Sequence, residues 1–329
     1  MALNMLFCIV GFVMLYYSAE WLVKGSSSLA KSLGITPIVI GLTVVAFGTS
    51  APELVVSLIS SIQGKSMIAV GNVVGSNICN IALVLGMAAL FQPIKSDPSV
   101  IRRDIPLMLG ISSYLLLVSY NSMIGRIEGV TLFGGVILYT LFNYSVARRA
   151  PMASVATGGN PTVIADAPEE QIEYVSSRSR QVLLIAVGII GVVAGAQIVV
   201  DAAVKIMETL GVSEKFVGLT IVAFGTSLPE LATSVVAAMR KEMDISIGNL
   251  VGSNVFNILS VIGVAAIVRP IPIPGGFFES GLVIDYLVMM FTSILPWFLM
   301  RKTHTVSRGG GGVLLFCYIG YMVYLIWTA

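Results

Sequence analysis

A single histidine, three cysteines and 11% charged residues in 329 positions leave this chain without the means for most soluble chemistry. The one histidine, His304, cannot build a His-Glu-x-x-His zinc site, and no such motif occurs, which excludes an intramembrane metalloprotease and leaves no basis for reading an enzyme. Cys8, Cys79 and Cys317 are odd in number, far apart and set in apolar segments. That excludes a disulfide framework or metal–thiolate spacing and leaves buried free thiols as the reading. A net charge of +2 marks no nucleic-acid-binding face. No basic stretch precedes the apolar run from Met5 to Tyr17, so the N-terminus reads as a first span rather than a cleaved signal.

In place of charge there is hydrocarbon: 56% of residues are hydrophobic and the mean hydropathy is +0.94, far from the composition of soluble domains. The chain reads as an all-α, polytopic membrane protein. Runs long enough to cross about 30 Å of hydrocarbon number about ten. They fall near 3–23, 36–62, 67–91, 105–121, 127–147, 181–206, 214–239, 244–268, 281–300 and 311–328. If they alternate, the loops on one side hold fourteen of the lysines and arginines, including Lys24, Lys31, Lys95, Arg148, Arg240 and Arg301. The other side holds five, Lys65, Arg126, Lys205, Lys215 and Arg269. That bias predicts both termini outside and the long central loop in the cytoplasm of a cell-membrane protein. Trp21, Trp297 and Trp327 suit an interfacial belt.

The segment 148–180 breaks the pattern with Pro151, Gly158, Gly159, Pro161, Pro168, Glu169, Glu170 and Glu173. It reads as a polar linker between an N-terminal five-helix repeat, 1–147, and a C-terminal one, 181–329. Residues 41–94 and 218–271 align without a gap, and about half the positions are identical. With an odd number of spans in each half, the second copy enters the membrane from the opposite side. The result is an inverted repeat, whose shared site commonly lies near the midplane between discontinuous helices.

The duplicated stretch carries the chemistry. Gly-Leu-Thr-Val-Val-Ala-Phe-Gly-Thr-Ser-Ala-Pro-Glu at 41–53 returns as Gly-Leu-Thr-Ile-Val-Ala-Phe-Gly-Thr-Ser-Leu-Pro-Glu at 218–230. Ala46, Thr49, Ser50 and Glu53 recur at helical spacing and share a face, as do Ala223, Thr226, Ser227 and Glu230. Pro52 cannot donate to the carbonyl of Gly48, nor Pro229 to that of Gly225, so the second and seventh helices should break there. A carboxylate at membrane depth is expensive and is a functional hypothesis by default. One proline kink or one hydroxyl would be read as tolerated backbone. Carboxylate, kink and hydroxyls recurring together outweigh that reading.

The third and eighth spans add Gly-Asn-Val-Val-Gly-Ser-Asn-Ile-Cys-Asn at 71–80 and Gly-Asn-Leu-Val-Gly-Ser-Asn-Val-Phe-Asn at 248–257. Ser76 with Asn80, and Ser253 with Asn257, lie four apart and can face inward. For Ser76, Asn77, Ser253 and Asn254, hydrogen bonding between helices explains the residues equally well, and Asn72 and Asn249 read as caps or glue. Glu20 reads as a snorkelling side chain near the cytoplasmic end of the first span. Every candidate ligand is an oxygen, which suits a hard cation such as calcium with its six to eight oxygens. Two bare carboxylates in low dielectric favour protonation or replacement ions, a physical reason for exchange rather than leakage.

At these residues the chain resembles the cation/calcium exchanger superfamily, and most closely its prokaryotic sodium/calcium exchangers. The specific part is Gly-Thr-Ser-x-Pro-Glu followed by Gly-Asn-x-x-Gly-Ser-Asn-x-x-Asn, twice and in order. The resemblance implies calcium and sodium as transported ions and no cofactor or protein partner. It implies Glu53 and Glu230 as central ligands, completed by Thr49, Ser50, Thr226, Ser227 and the carbonyls of Ala46 and Ala223. Ser76 and Ser253 would serve flanking sodium sites, with Asn80 and Asn257 in the middle. It further implies three sodium ions exchanged for one calcium, with spans one and six sliding past a stationary core. Some relatives carry aspartate at one or both middle positions; here both are neutral, which argues against potassium cotransport. Proton-coupled members carry Gly-Asn-Ala-x-Glu signatures, which are missing here. Proton-coupled exchange stays open as the alternative, and a channel built on the same ligands is the third reading.

Overall fold

Backbone polar groups in hydrocarbon must be satisfied within the chain, and here helices do nearly all of it. The computed structural model describes residues 1–149, 174–210 and 223–328. Among them the helices are α1 (Ala2–Leu33), α2 (Pro37–Thr49), α3 (Ala51–Ile62), α4 (Ser66–Phe91), α5 (Ile105–Ser119) and α6 (Arg126–Arg149). The second set is α7 (Arg178–Thr209), α8 (Ala223–Thr226), α9 (Leu228–Met239), α10 (Met243–Val268), α11 (Leu282–Met300) and α12 (Arg308–Thr328). Seven of the described helices are long and apolar enough to cross a membrane, or eight if α2 and α3, bent by 45° at Ser50, count as one span. The short α5 continues directly from a π-helical turn, Val100–Asp104. The span expected over 214–239 falls partly outside the described residues, as does most of the linker expected over 148–180.

The first helix differs from the expected 3–23. It runs on through the serines 26–28 to Leu33 and stops where Gly34 turns left-handed, φ 67°, with its N–H on the last carbonyls. Ser26, Ser27 and Ser28 look like loop residues in the sequence, but all three are buried. Lys24 and Lys31 therefore ride on the helix rather than in a loop. Glu20 lies well inside α1 and ion-pairs with Arg240, just past the end of α9, instead of snorkelling alone. The three thiols are free, yet only Cys79 is fully buried; Cys8, whose thiol points to the Val199 carbonyl of α7, and Cys317 are partly exposed.

Burial sorts the bundle. The apolar windows of α4 and α10 are 78% and 83% buried, against 17–39% for the other long helices, so these two form its centre. Large apolar side chains such as Phe12, Leu138, Phe316 and Trp327 stand exposed around the outside. That surface suits acyl chains and not water.

The two halves interlock in pairs related by the sequence duplication. Ile94–Lys95 (β1) pairs antiparallel with Thr305–Val306 (β4), and Ile271–Pro272 (β3) with Met123–Ile124 (β2). Gly86 of α4 meets Gly311 of α12 and Gly263 of α10 meets Gly129 of α6; a methyl on Gly311 would lie 2.7 Å from the Gly86 carbonyl oxygen, and one on Gly129 2.9 Å from that of Gly263. Small residues also let α1 and α7 touch backbone to backbone: a methyl on Gly188 would lie 2.7 Å from the Leu22 nitrogen, and one on Gly195 3.1 Å from the Leu15 nitrogen. Near the centre, α2 crosses α10 at Gly41 and Gly248.

A methyl on Gly248 would sit 2.8 Å from the Ile38 carbonyl oxygen and 3.1 Å from the Leu42 nitrogen, both backbone atoms that cannot rotate away. Gly248→Ala should therefore lower the melting temperature of the detergent-solubilised protein, by an amount equivalent to about 1–3 kcal/mol. Gly312→Ala, whose added methyl meets nothing within 4 Å, serves as the neutral control. Equal melting temperatures for the two variants would show that the crossing is not close-packed.

Candidate functional site

Proline at the second position of α3 and of α9 is what breaks each helix, because its ring leaves no N–H for the preceding turn. Ser50 and Ser227 occupy the breaks, at φ −82° and −88° with ψ near zero, and Glu53 and Glu230 follow in the first turn beyond. An acidic group at a helix N-terminus is favoured by the free N–H groups there. The bundle adds no cationic partner. Both glutamates are fully buried, and among the described residues neither pairs with a lysine, arginine or histidine.

The breaks face each other across the halves. Ser50 donates to Oε1 of Glu230 at 3.2 Å, and Ser253 donates to the same oxygen at 3.3 Å. Thr49 donates to Oδ1 of Asn249 at 3.1 Å and lies 3.4 Å from the Ser253 hydroxyl. Ser76 and Thr226 flank Glu53 as Ser253 and Thr49 flank Glu230. The Ala46 carbonyl accepts the Ser50 N–H at 3.1 Å, and the Thr49 hydroxyl, its proton directed to Asn249, lies 3.4 Å away. Ala223 opens α8, directly after residues outside those described.

Asn80 and Asn257 sit in π-helical turns, Cys79–Leu85 and Asn257–Ile262, that widen the two central helices beside the glutamates. Such turns commonly mark functional positions. Asn249, which the sequence offers only as a cap or glue, turns out to touch a candidate ligand. Its counterpart Asn72 donates to the Glu53 carbonyl at 3.2 Å and to Ser57 at 2.9 Å, bracing the turn that carries the glutamate, as Asn249 donates to Ser234 at 3.0 Å. The signal that could have found Asn249 is its place in the repeated Gly-Asn pair, but nothing in the sequence says that it crosses to the other half.

Unmet demand marks the centre. Fourteen buried side-chain atoms among the described residues have no hydrogen-bond partner, and seven belong to this cluster: both oxygens of Glu53, Oε2 of Glu230, the hydroxyls of Ser76 and Ser227, and Oδ1 of Asn80 and Asn257. Leaving one buried acceptor unpaired costs about 1–3 kcal/mol, more when it is charged. Seven such oxygens make a donor set of the kind a hard cation takes. Among the described residues no group of three or more His, Cys, Asp or Glu gathers, so the set is two carboxylates plus neutral oxygens rather than a zinc-type centre.

A family model described as sodium/calcium exchanger protein matches residues 3–145 and 180–327. The chain belongs to the sodium/calcium exchanger family. It is a cation/calcium exchanger, a multi-pass membrane transporter and not an enzyme. Relatives of the exchanger include the sodium/calcium exchanger MaX1 of Methanosarcina acetivorans, 30% identical over 98% of this chain and 99% of that one. The putative antiporter CaxA of Alkalimonas amylolytica is 36% identical over 98% of each chain. The solved sodium-calcium exchanger NCX_Mj superposes with a TM-score of 0.80 at 31% identity, covering 98% of both chains.

Two carboxylates buried without a cation or a basic partner destabilise the exchanger that holds them. In buffer stripped of sodium and calcium at pH 8, Glu53→Gln should melt higher than the parent protein, by the equivalent of about 1–3 kcal/mol. A lower melting temperature would mean that Glu53 is compensated in a way the side-chain geometry does not reveal.

Proposed function

We propose that this exchanger is a secondary-active antiporter that trades sodium for calcium across the cell membrane by alternating access, without potassium. The single observation that carries this is the convergence of Glu53 and Glu230, one from each duplicated half, on a wall of unpartnered oxygens. Glu53 and Glu230 are the central ligands for calcium. Thr49, Ser50, Thr226, Ser227, Ser76 and Ser253, the carbonyls of Ala46 and Ala223, and the oxygens of Asn80 and Asn257 complete the calcium and flanking sodium positions. Two negative charges match one divalent ion or a set of monovalent ones, never an empty site. The solved relative NCX_Mj is described in terms of extracellular ion exchange and induced binding-site occlusion, in crystals soaked with sodium and calcium.

The fold is read as ten spans in two inverted repeats of five. In support, β1 pairs with β4 and β2 with β3, which requires the loops after the third and ninth spans to share one side and those after the fourth and eighth the other. Alternation of ten spans meets that requirement, with both termini outside by the distribution of basic residues. The pair α1 and α7, joined through Gly11, Gly188, Gly191 and Gly195, is peripheral to the core formed by α4 and α10. It slides as a unit to expose the site to one side and then the other.

Three sodium ions against one calcium move one net charge per cycle, worth about 2.3 kcal/mol per 100 mV, so transport responds to voltage. In proteoliposomes, an outward sodium gradient should drive calcium uptake, while potassium or proton gradients alone should not. Uptake driven by protons and indifferent to sodium would replace this reading with proton-coupled exchange, and calcium flux without any counter-gradient would replace it with a channel. Glu53→Gln and Glu230→Gln should each abolish uptake while eluting as folded protein; near-parental uptake by either would exclude a shared site.

A further inference from the structure

The centre of the bundle holds four asparagines, Asn77 and Asn80 on α4 and Asn254 and Asn257 on α10, all fully buried. Nδ2 of Asn77 donates to the backbone carbonyl of Asn254 at 3.2 Å, and Nδ2 of Asn254 donates to that of Asn77 at 3.2 Å. A backbone carbonyl only accepts, so these two bonds decide which end of each amide is nitrogen. The remaining N–H of Asn77 points to the sulfur of Met289 at 3.9 Å. The side-chain oxygens of Asn77 and Asn254 are then turned toward the candidate ligands. Asn80 donates to Oδ1 of Asn254 at 3.1 Å, and Asn257 donates to Oδ1 of Asn77 at 3.2 Å. With their nitrogens so committed, Asn80 and Asn257 present their own Oδ1 atoms elsewhere, and both are buried without a hydrogen-bond partner.

We propose that Asn77 and Asn254 are positioning and specificity-determining residues of the ion site: they aim the oxygens of Asn80 and Asn257 at the cation and require a neutral amide at both positions. The proposal rests on the exchanger reading above and deepens it. Mere joining of α4 to α10 needs only the reciprocal bonds to the two backbone carbonyls. The second pair of bonds does more: it sets the orientation of Asn80 and Asn257. It also sets their chemistry. An ionised carboxylate at 80 or 257 would oppose an acceptor with an acceptor in a buried place, where no water relieves the contact. The formal charge of the site is thereby kept on the two glutamates. Outer partners of this kind change metal affinity by about 10–100-fold when removed.

A double-mutant cycle tests the assignment on purified protein in liposomes, with sodium-driven calcium uptake as the readout. Asn254→Ala and Asn80→Ala should each raise the calcium KM about ten-fold with kcat within about two-fold of the parent, and the double variant should be no worse than Asn80→Ala alone. Multiplication of the two effects to about 100-fold, or an effect of Asn254→Ala on kcat alone, would overturn the proposal. Asn80→Asp, which matches asparagine in size, is read alongside: a calcium KM at or above the parent's supports a demand for a neutral amide, and a lower one overturns it. Should Asn254→Ala fail to fold, the cycle of Asn77→Ala with Asn257→Ala makes the same comparison. Absence of sodium-driven uptake by the parent protein would strike the sodium/calcium reading instead. In that event the calcium-induced rise in melting temperature in detergent carries the same cycle without reference to coupling.

Discussion

Two carboxylates held in a medium of low dielectric, with no basic partner among the described residues, dominate this molecule, and much of its architecture reads as a way of tolerating them. Each sits one turn beyond a proline break, where helix N–H groups face it. Among the described residues the neighbours that reach them include the hydroxyls of Ser50, Ser76, Thr226 and Ser253, which can solvate an ion without neutralising the carboxylates. A lysine or arginine in the same place would make a stable salt bridge and a dead site, because the charge would be permanently satisfied. Leaving the charge unsatisfied makes every mobile cation a structural component of the protein while it is bound. That is the thermodynamic link between occupancy and conformation on which exchange rests.

Such a site survives only if its walls cannot relax around it, and the interlocking of the halves supplies that stiffness. Glycine contacts place α4 against α12 and α10 against α6 at backbone distance, and two short β pairs tie the loops at the ends of these helices. Close-packed interfaces of this kind have discrete alternatives rather than continuous ones. The asparagine bridge then pins α4 to α10 at the level of the glutamates. Outside this frame, α1 and α7 pack mainly on each other.

Elements visible in one dimension were legible in the sequence. Helix positions follow from apolar runs, the bend at Ser50 from Pro52, and the burial of Glu53 and Glu230 from their apolar surroundings and their duplication. Contacts that join residues 177 to 212 positions apart were not. Thr49 to Asn249, Asn77 to Asn254 and Ile94 to Val306 depend on how the halves intercalate, and no local pattern encodes which asparagine reaches which carbonyl. The end of α1 was missed for a different reason. A run of three serines is polar by composition, yet small enough to be buried against neighbouring helices, and in α1 it continues the helix instead of ending it.

The duplication is not perfectly expressed in the fold. Glu230 accepts hydroxyl hydrogen bonds from Ser50 of one half and Ser253 of the other, and Ser76 and Thr226 flank Glu53 in the corresponding way. The left-handed turn after α3 is made by Gly64, and the equivalent turn after α9 by Lys241. Cys79, in contact range of Ser227, stands where the second copy has Phe256, which packs edge-on against Phe47 and Tyr139. Positions that the sequence presents as copies therefore meet unlike neighbours once the halves intercalate, because each half packs its copy against different helices of the bundle.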